Sequence, residues 1–235
     1  MKSVRRRARP TGRDGLHASL HAEVGARDAW GAILVLCGVA VFFIGQLAAQ
    51  FGWTTGYSWA HNNISDLGHV TCADFEGRYI CSPWHAVYNS GAVITSGLLV
   101  PGLSLMWHLW GSGVRAAAAR IALTIACCGY AVAGLTPPDI ALGPHLIAVL
   151  LLMPIANIGL LLTAAVPRRS VLGDLRWTAL SIGLLALVGT VLHLGGPWLG
   201  LGRGGMERVA GFAPLLFLVI AALHVLRARS RDHVT

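Results

Sequence analysis

Six long apolar segments recur along the sequence and constrain its fold more than any other feature. They lie near residues 29–52, 84–110, 114–135, 145–166, 177–194 and 206–227. About 20 apolar residues of helix cross the hydrocarbon layer of a bilayer. Because backbone groups in lipid must form hydrogen bonds within the protein, segments this long are predicted to be helices rather than barrel strands. The sequence therefore predicts an all-α, polytopic membrane protein built as a six-helix transmembrane bundle.

The charge pattern supports this fold class and predicts an orientation. Charged residues make up only 12% of the chain, against about 25% in soluble domains. Most Lys and Arg residues fall in the N-terminal tail and after the second, fourth and sixth segments. Because basic connections stay on the cytoplasmic side, we expect a multi-pass protein of the plasma membrane with both termini in the cytoplasm.

The same distribution bears on the partners of the chain. We interpret its net charge of +8 as a source of attraction to anionic lipid at the membrane surface. We therefore expect the lipid bilayer as the partner and no nucleic acid, while the oligomeric state is left open.

Three regions follow from these patterns. Residues 1–27 are predicted to be a disordered, basic cytoplasmic tail, residues 28–228 the transmembrane domain, and residues 229–235 a second cytoplasmic tail. The one long connection is an external loop over about 53–82. Cys72 and Cys81 lie in this loop, on the side of the membrane where disulfides persist. A disulfide between them is predicted, with two free thiols or a zinc pair as the alternatives.

Residues able to do chemistry gather at the predicted external end of the bundle. A histidine beside a carboxylate suits general acid–base catalysis, and charged residues at membrane depth are candidates for function. The catalytic candidates are Asp66, His85, Asp139, His145 and Glu207. The binding candidates are Asn63, Ser65, Asn89, His193 and Arg208.

Two other interpretations of these residues stay open. Zinc ligands are commonly histidines and carboxylates, with three protein ligands plus water at catalytic sites. The available ligands would be His85, His145, His193 and Asp66, but no paired spacing such as His-Glu-x-x-His is present, so a divalent metal is not favoured. The second interpretation is a structural ion-pair lock, in which Asp66, Asp139 or Glu207 holds Arg208.

Four short motifs occur in a fixed order along the chain: Asn63-Ile64-Ser65-Asp66-Leu67-Gly68, Ser82-Pro83 with Asn89, Pro138-Asp139 with His145, and Gly205-Met206-Glu207-Arg208. With them the chain resembles the membrane family catalogued as domain of unknown function 998, over about residues 30–228. The Ile-Ser-Asp-Leu-Gly run is the most specific element. The resemblance implies a multi-helix membrane protein and no established activity.

Three functions are compatible with the pattern. The first is an enzyme, such as a hydrolase or another lipid-modifying enzyme, that acts on a lipid or isoprenoid-like substrate. The second is a non-catalytic lipid-binding or scaffold protein whose polar cluster is the ion-pair lock. The third, a small-molecule permease, is disfavoured because no carboxylate lies near the centre of a predicted helix.

Overall fold

The computed structural model describes residues 24–232, and within this range six helices are long and apolar enough to cross a membrane. The predicted six-helix, all-α architecture is confirmed. In chain order the helices are α1 (Ala26–Phe51), α2 (His85–Leu105), α3 (Val114–Leu135), α4 (Leu142–Ala164), α5 (Arg176–Gly195) and α6 (Gly202–Asp232).

The boundaries of the predicted tails differ slightly from the structure. Helix α1 begins at Ala26 rather than after residue 27, and α6 continues to Asp232 rather than ending near residue 228. Arg229 and Arg231 in this extension are good helix formers and lie at the C-terminal end of the helix, where positive charge is favourable. The rest of both predicted tails, residues 1–23 and 233–235, lies outside the described residues.

Each helix packs against the next along the chain, and α6 packs back on α1, so the helices form a closed ring. Small residues bring the helix backbones together. A Cβ atom on Gly45 of α1 would lie 3.6 Å from the Gly91 Cα of α2, and one on Gly31 would lie 2.7 Å from the Gly102 carbonyl oxygen. Such contacts favour association in lipid, where apolar burial alone does not drive helices together.

Helix α4 has an irregular middle. A π turn over Leu151–Ile155 separates its α-helical parts, Leu142–Leu150 and Ala156–Ala164. Pro154 lies within the π turn, as expected where a missing amide interrupts the hydrogen-bond ladder. Met153 of this turn is buried in the interior of the bundle.

Residues 52–84, between α1 and α2, fold over one end of the bundle. They contain a 3-10 turn (Ser65–Gly68) and an antiparallel hairpin of β1 (Ala73–Phe75) and β2 (Arg78–Ile80). Glu76 and Gly77 supply the two positive φ angles of the hairpin turn, as a two-residue turn requires. The predicted Cys72–Cys81 disulfide is present and closes the open end of the hairpin.

The connection at residues 136–141 and the first turn of α6, which follows the connection at residues 196–201, meet the same segment. Asp139 accepts a hydrogen bond from the Val70 amide, and the Gly204 amide donates to the Ala60 carbonyl. We call this side of the molecule the loop end. The charge pattern predicts that the loop end faces outward.

This orientation is testable by labelling with a membrane-impermeant maleimide. Asp74 at the loop end and Arg169 at the opposite end are both exposed, so each is suited to replacement by cysteine after Cys37, Cys127 and Cys128 are changed to alanine. In intact cells we expect labelling of Asp74→Cys alone, and labelling of Arg169→Cys only after permeabilisation. The opposite pattern would reverse the orientation.

Candidate functional site

A small cavity lies inside the bundle near the loop end. Its volume is about 50 Å³. Helices α1, α2, α3, α4 and α6 contribute to its wall, and the 3-10 turn of the loop covers it. We call it the central cavity. Its polar lining residues are Ser65, Tyr88, Tyr130, His145 and Glu207, and Phe42, Phe212 and Met153 are among its apolar ones.

Glu207 enters the cavity from the first turns of α6. Its side chain is buried, with the residue only 5% exposed, and Oε2 accepts a hydrogen bond from the Ile64 amide at 2.5 Å. This amide lies just before the 3-10 turn, outside any helix, and so is free to donate. The bond joins α6 to the loop and leaves Oε1 as the carboxylate oxygen available to a ligand.

His145 enters from the first turn of α4 and is also buried. Its Nδ1 atom lies 2.8 Å from the Thr136 carbonyl oxygen at the end of α3. Because a carbonyl only accepts, Nδ1 carries the proton in this contact. In a neutral imidazole the other nitrogen, Nε2, is then a proton acceptor. The helix-end carbonyl thus fixes the tautomer and orientation of the ring.

Tyr88 and Tyr130 complete the polar lining, and they were not among the residues predicted for the site. Both are buried, and their rings lie 6.4 and 5.1 Å from that of Phe42. Their hydroxyl groups make no hydrogen bond with any residue in the range 24–232. The sequence signal was weak, because a tyrosine in an apolar segment is as readily explained by packing.

Asp66, a catalytic candidate, does not line the cavity. Its side chain is buried and forms an ion pair with Arg78 of the hairpin. Asp66 Oδ2 also accepts hydrogen bonds from the Asn63 amide at 2.9 Å and from Asn62 Nδ2 at 3.2 Å. An ion-pair lock therefore exists, but its arginine is Arg78 rather than the expected Arg208.

Arg208 instead binds backbone carbonyl groups. Nη1 donates to the carbonyl oxygens of Trp59, Asn62 and Gly204 at 2.8–3.0 Å, and Nη2 donates to the Tyr57 hydroxyl at 2.5 Å. Over the described chain no carboxylate oxygen lies within 4.0 Å of its guanidinium. The prediction that Asp66, Asp139 or Glu207 holds Arg208 is wrong. The guanidinium instead donates its hydrogen bonds to backbone carbonyl groups of the loop that have no partner in a helix or sheet.

Asp139 joins the 136–141 connection to the loop. Its Oδ2 atom accepts hydrogen bonds from the amides of Val70 and Thr71 and from the Thr71 hydroxyl, all within 2.9 Å. Burial alone would raise the pKa of Asp139, but these hydrogen bonds outweigh it and lower the pKa below its ordinary value. This carboxylate is a structural anchor in the observed arrangement.

The remaining predicted residues are bound locally and lie outside the cavity wall. His85 Nδ1 donates to the Ser82 carbonyl at 2.9 Å, and His193 Nδ1 donates to the Arg203 carbonyl at 3.1 Å. Asn89 Nδ2 donates to the Gly68 carbonyl at 2.9 Å, and the Asn63 carbonyl accepts from Tyr57. Only Ser65 joins His145 and Glu207 at the cavity.

The possible metal ligands do not converge. Among residues 24–232, no group of three or more His, Cys, Asp or Glu side chains is arranged to hold a metal ion. His85, His193 and Asp66 each bind a different part of the loop end, while His145 faces the cavity. The four candidates therefore do not form a common coordination site in this arrangement.

These features define the class of the protein: a multi-pass, all-α membrane protein with a small internal cavity beneath a folded loop. The chain belongs to the family described as "Protein of unknown function (DUF998)", whose family model matches residues 36–224. The resemblance drawn from the sequence motifs is thereby confirmed. No curated protein and no solved structure matches the chain.

The Asp66–Arg78 pair generates a prediction about stability. Asp66→Asn would remove the buried anion of Arg78 and leave its guanidinium with the more exposed Glu76 carboxylate, 3.9 Å away. We expect a loss of about 2–3 kcal/mol in the free energy of unfolding, less than the roughly 3–5 kcal/mol of a fully buried pair, because Arg78 is partly exposed. The matched control, Arg203→Gln, breaks a more exposed pair, that of Arg203 with Glu76, and should cost under about 1 kcal/mol. Equal losses of stability in the two variants, measured by thermal unfolding in detergent, would contradict the assignment of Asp66–Arg78 as the stronger pair.

His69 generates a prediction about pH. It is buried in the loop with its ring 4.6 Å from that of Phe75. Burial lowers its pKa, despite the opposing carboxylates of Asp139 and Asp66. Because the folded state binds this proton less well than the unfolded state, stability is full above about pH 6.5 and falls on acidification below it. The melting temperature of His69→Gln should fall less between pH 7 and 5 than that of the unaltered protein; parallel curves would refute this.

Proposed function

We propose that the protein is a membrane enzyme that acts on an amphiphilic, lipid-like substrate, with Glu207 and His145 as its acid–base pair. The observation that carries the proposal is that these two residues, which come from two different helices, α4 and α6, line one buried cavity. Charged and titratable groups are rare at membrane depth and are candidates for function where they occur.

The local bonds suit these two groups to proton transfer. Thr136 holds His145 so that Nε2 is the basic nitrogen, and Ile64 occupies only one oxygen of Glu207. A proton can therefore be accepted at His145 Nε2 and at Glu207 Oε1. The hydroxyls of Ser65, Tyr88 and Tyr130 are further donors for an oxyanion or a leaving group.

The apolar part of the cavity wall supports a lipid-like substrate. Phe42, Phe212 and Met153 exclude water, which strengthens electrostatic interactions inside. The cavity holds a small polar group only, so the apolar chain of a substrate would extend between helices into the bilayer. The outward orientation predicted by the basic connections would place this reaction at the outer face of the plasma membrane.

A second function is favoured by a different observation. Asp139 and Arg208 form bonds that hold the loop on the bundle, and Asp66 forms an ion pair within the loop. A protein whose loop-end charges are used this way can also be a non-catalytic lipid-binding or scaffold protein. In that case the cavity would bind a lipid group without turning it over.

Turnover by matched variants separates the two functions. Glu207→Gln keeps an oxygen for the Ile64 amide, and His145→Asn keeps an N–H for the Thr136 carbonyl, so both preserve the local bonds. Purified protein in liposomes of total lipid extract should generate a product detectable by lipid mass spectrometry. We expect each variant to lower its rate about 10²–10⁴-fold, as for loss of an acid–base group.

His61→Gln is the control for this experiment, since His61 is exposed and lies away from the cavity. It should retain the full rate. A product formed equally by all variants would contradict the assigned pair. Retained lipid binding with no product from any lipid would favour the non-catalytic function.

A further inference from the structure

We propose that the central cavity receives a small primary ammonium group, carried either by a lipid headgroup or by a free alkylamine. The inference rests on the proposed function, because it names the substrate class for the same cavity. It is carried by the juxtaposition of a buried carboxylate, aromatic rings and unpaired acceptor atoms.

The charge of Glu207 favours a cationic ligand. The Glu207 carboxylate is buried, and its one hydrogen-bond donor among the described residues is the neutral Ile64 amide. The adjacent Arg208 does not pair with it, because its guanidinium binds loop carbonyls and the Tyr57 hydroxyl. A buried charge without a partner is costly. A cationic ligand would supply the missing partner.

The aromatic part of the cavity wall also favours a cation. Four aromatic residues line the cavity: Phe42, Tyr88, Tyr130 and Phe212. Their rings pack around Phe42 with centroid separations of 5.1–6.4 Å. Cations are attracted to aromatic faces, and the attraction is stronger where water is excluded. An anion would gain nothing from these rings, and no arginine or lysine from residues 24–232 lines the cavity.

The acceptor atoms of the cavity favour a primary ammonium over a quaternary one. Glu207 Oε1 and His145 Nε2 are acceptors, and the hydroxyls of Tyr88 and Tyr130 have acceptor lone pairs. A primary ammonium has three N–H donors to satisfy them, whereas a trimethylammonium has none. Leaving buried acceptors unpaired costs about 1–3 kcal/mol each.

The size of the cavity agrees with a small group. A water needs at least about 10–15 Å³ by this measure, so a volume of about 50 Å³ holds a few heavy atoms. An aminoethyl group fits this space, while a sugar or an inositol would not. The neighbouring apolar wall would contact the start of any attached chain.

The experiment measures lipid binding to the purified full-length protein by native mass spectrometry. The probes are dioleoyl phosphatidylethanolamine, phosphatidylcholine and phosphatidylglycerol, with ethylamine as a free competitor. We expect the ethanolamine lipid to bind at least 10-fold more tightly than either other lipid, and ethylamine to displace it. If all three lipids bind weakly and ethylamine displaces the lipid that does bind, the natural source of the ammonium group is a free amine. This result also supports the proposal.

Variants test which atoms carry the preference. Glu207→Gln should abolish the 10-fold difference, and the double variant Tyr88→Phe/Tyr130→Phe should reduce it about 3-fold, while His61→Gln leaves it unchanged. Melting temperatures accompany each measurement, and the tyrosine pair provides the readout if Glu207→Gln does not fold. Equal binding of the three lipids without displacement by ethylamine would overturn the proposal, as would a preference that survives in Glu207→Gln and in the tyrosine pair.

The two proposals fail in distinguishable ways. Turnover that depends on Glu207 and His145, but shows no preference for an amine, would overturn this inference and leave the enzyme proposal standing. Amine binding that depends on Glu207 without turnover of any lipid would support this inference and reject the enzyme.

Discussion

The arrangement of the loop end depends on the guanidinium of Arg208. It joins α6 to the loop through the carbonyl oxygens of Trp59 and Asn62, and its cation lies 4.9 Å from the Trp59 ring centre. The segment it holds leads directly into the 3-10 turn that covers the central cavity. Because these carbonyls are not paired in a helix or a sheet, the arginine satisfies groups that would otherwise need water. The same segment also donates the Ile64 amide to the buried Glu207 carboxylate.

The loop end is held by several polar contacts, each of which joins different parts of the chain. Asp66 pairs with Arg78 within the loop, Asp139 ties the α3–α4 connection to it, and Glu207 ties α6 to it. The disulfide fixes the hairpin from which Arg78 projects. Glu207 differs from the others because it both supports the loop and faces the cavity. The loop and the Glu207 carboxylate are therefore joined directly, by the hydrogen bond from the Ile64 amide.

Much of the fold was predictable from the sequence, because hydropathy alone determines where the helices lie in a membrane protein. The Cys72–Cys81 pairing was also predictable, since both residues lie in one loop. The choice of Arg78 over Arg208 as the partner of Asp66 was not, because it depends on a hairpin register that no periodicity indicates. The sequence indicates His145, Glu207 and Ser65 as site candidates, because they are polar or titratable residues at the predicted membrane boundary. Tyr88 and Tyr130 did not, because hydrophobic packing explains a tyrosine in an apolar segment equally well.

The most direct test of this account is a cryo-electron microscopy structure determined in nanodiscs that contain phosphatidylethanolamine. We predict non-protein density in the central cavity, in contact with Glu207 Oε1 and His145 Nε2, beneath a loop held by Arg208. A cavity filled by protein side chains, or a Glu207 carboxylate that faces bulk water with the loop displaced, would contradict the account.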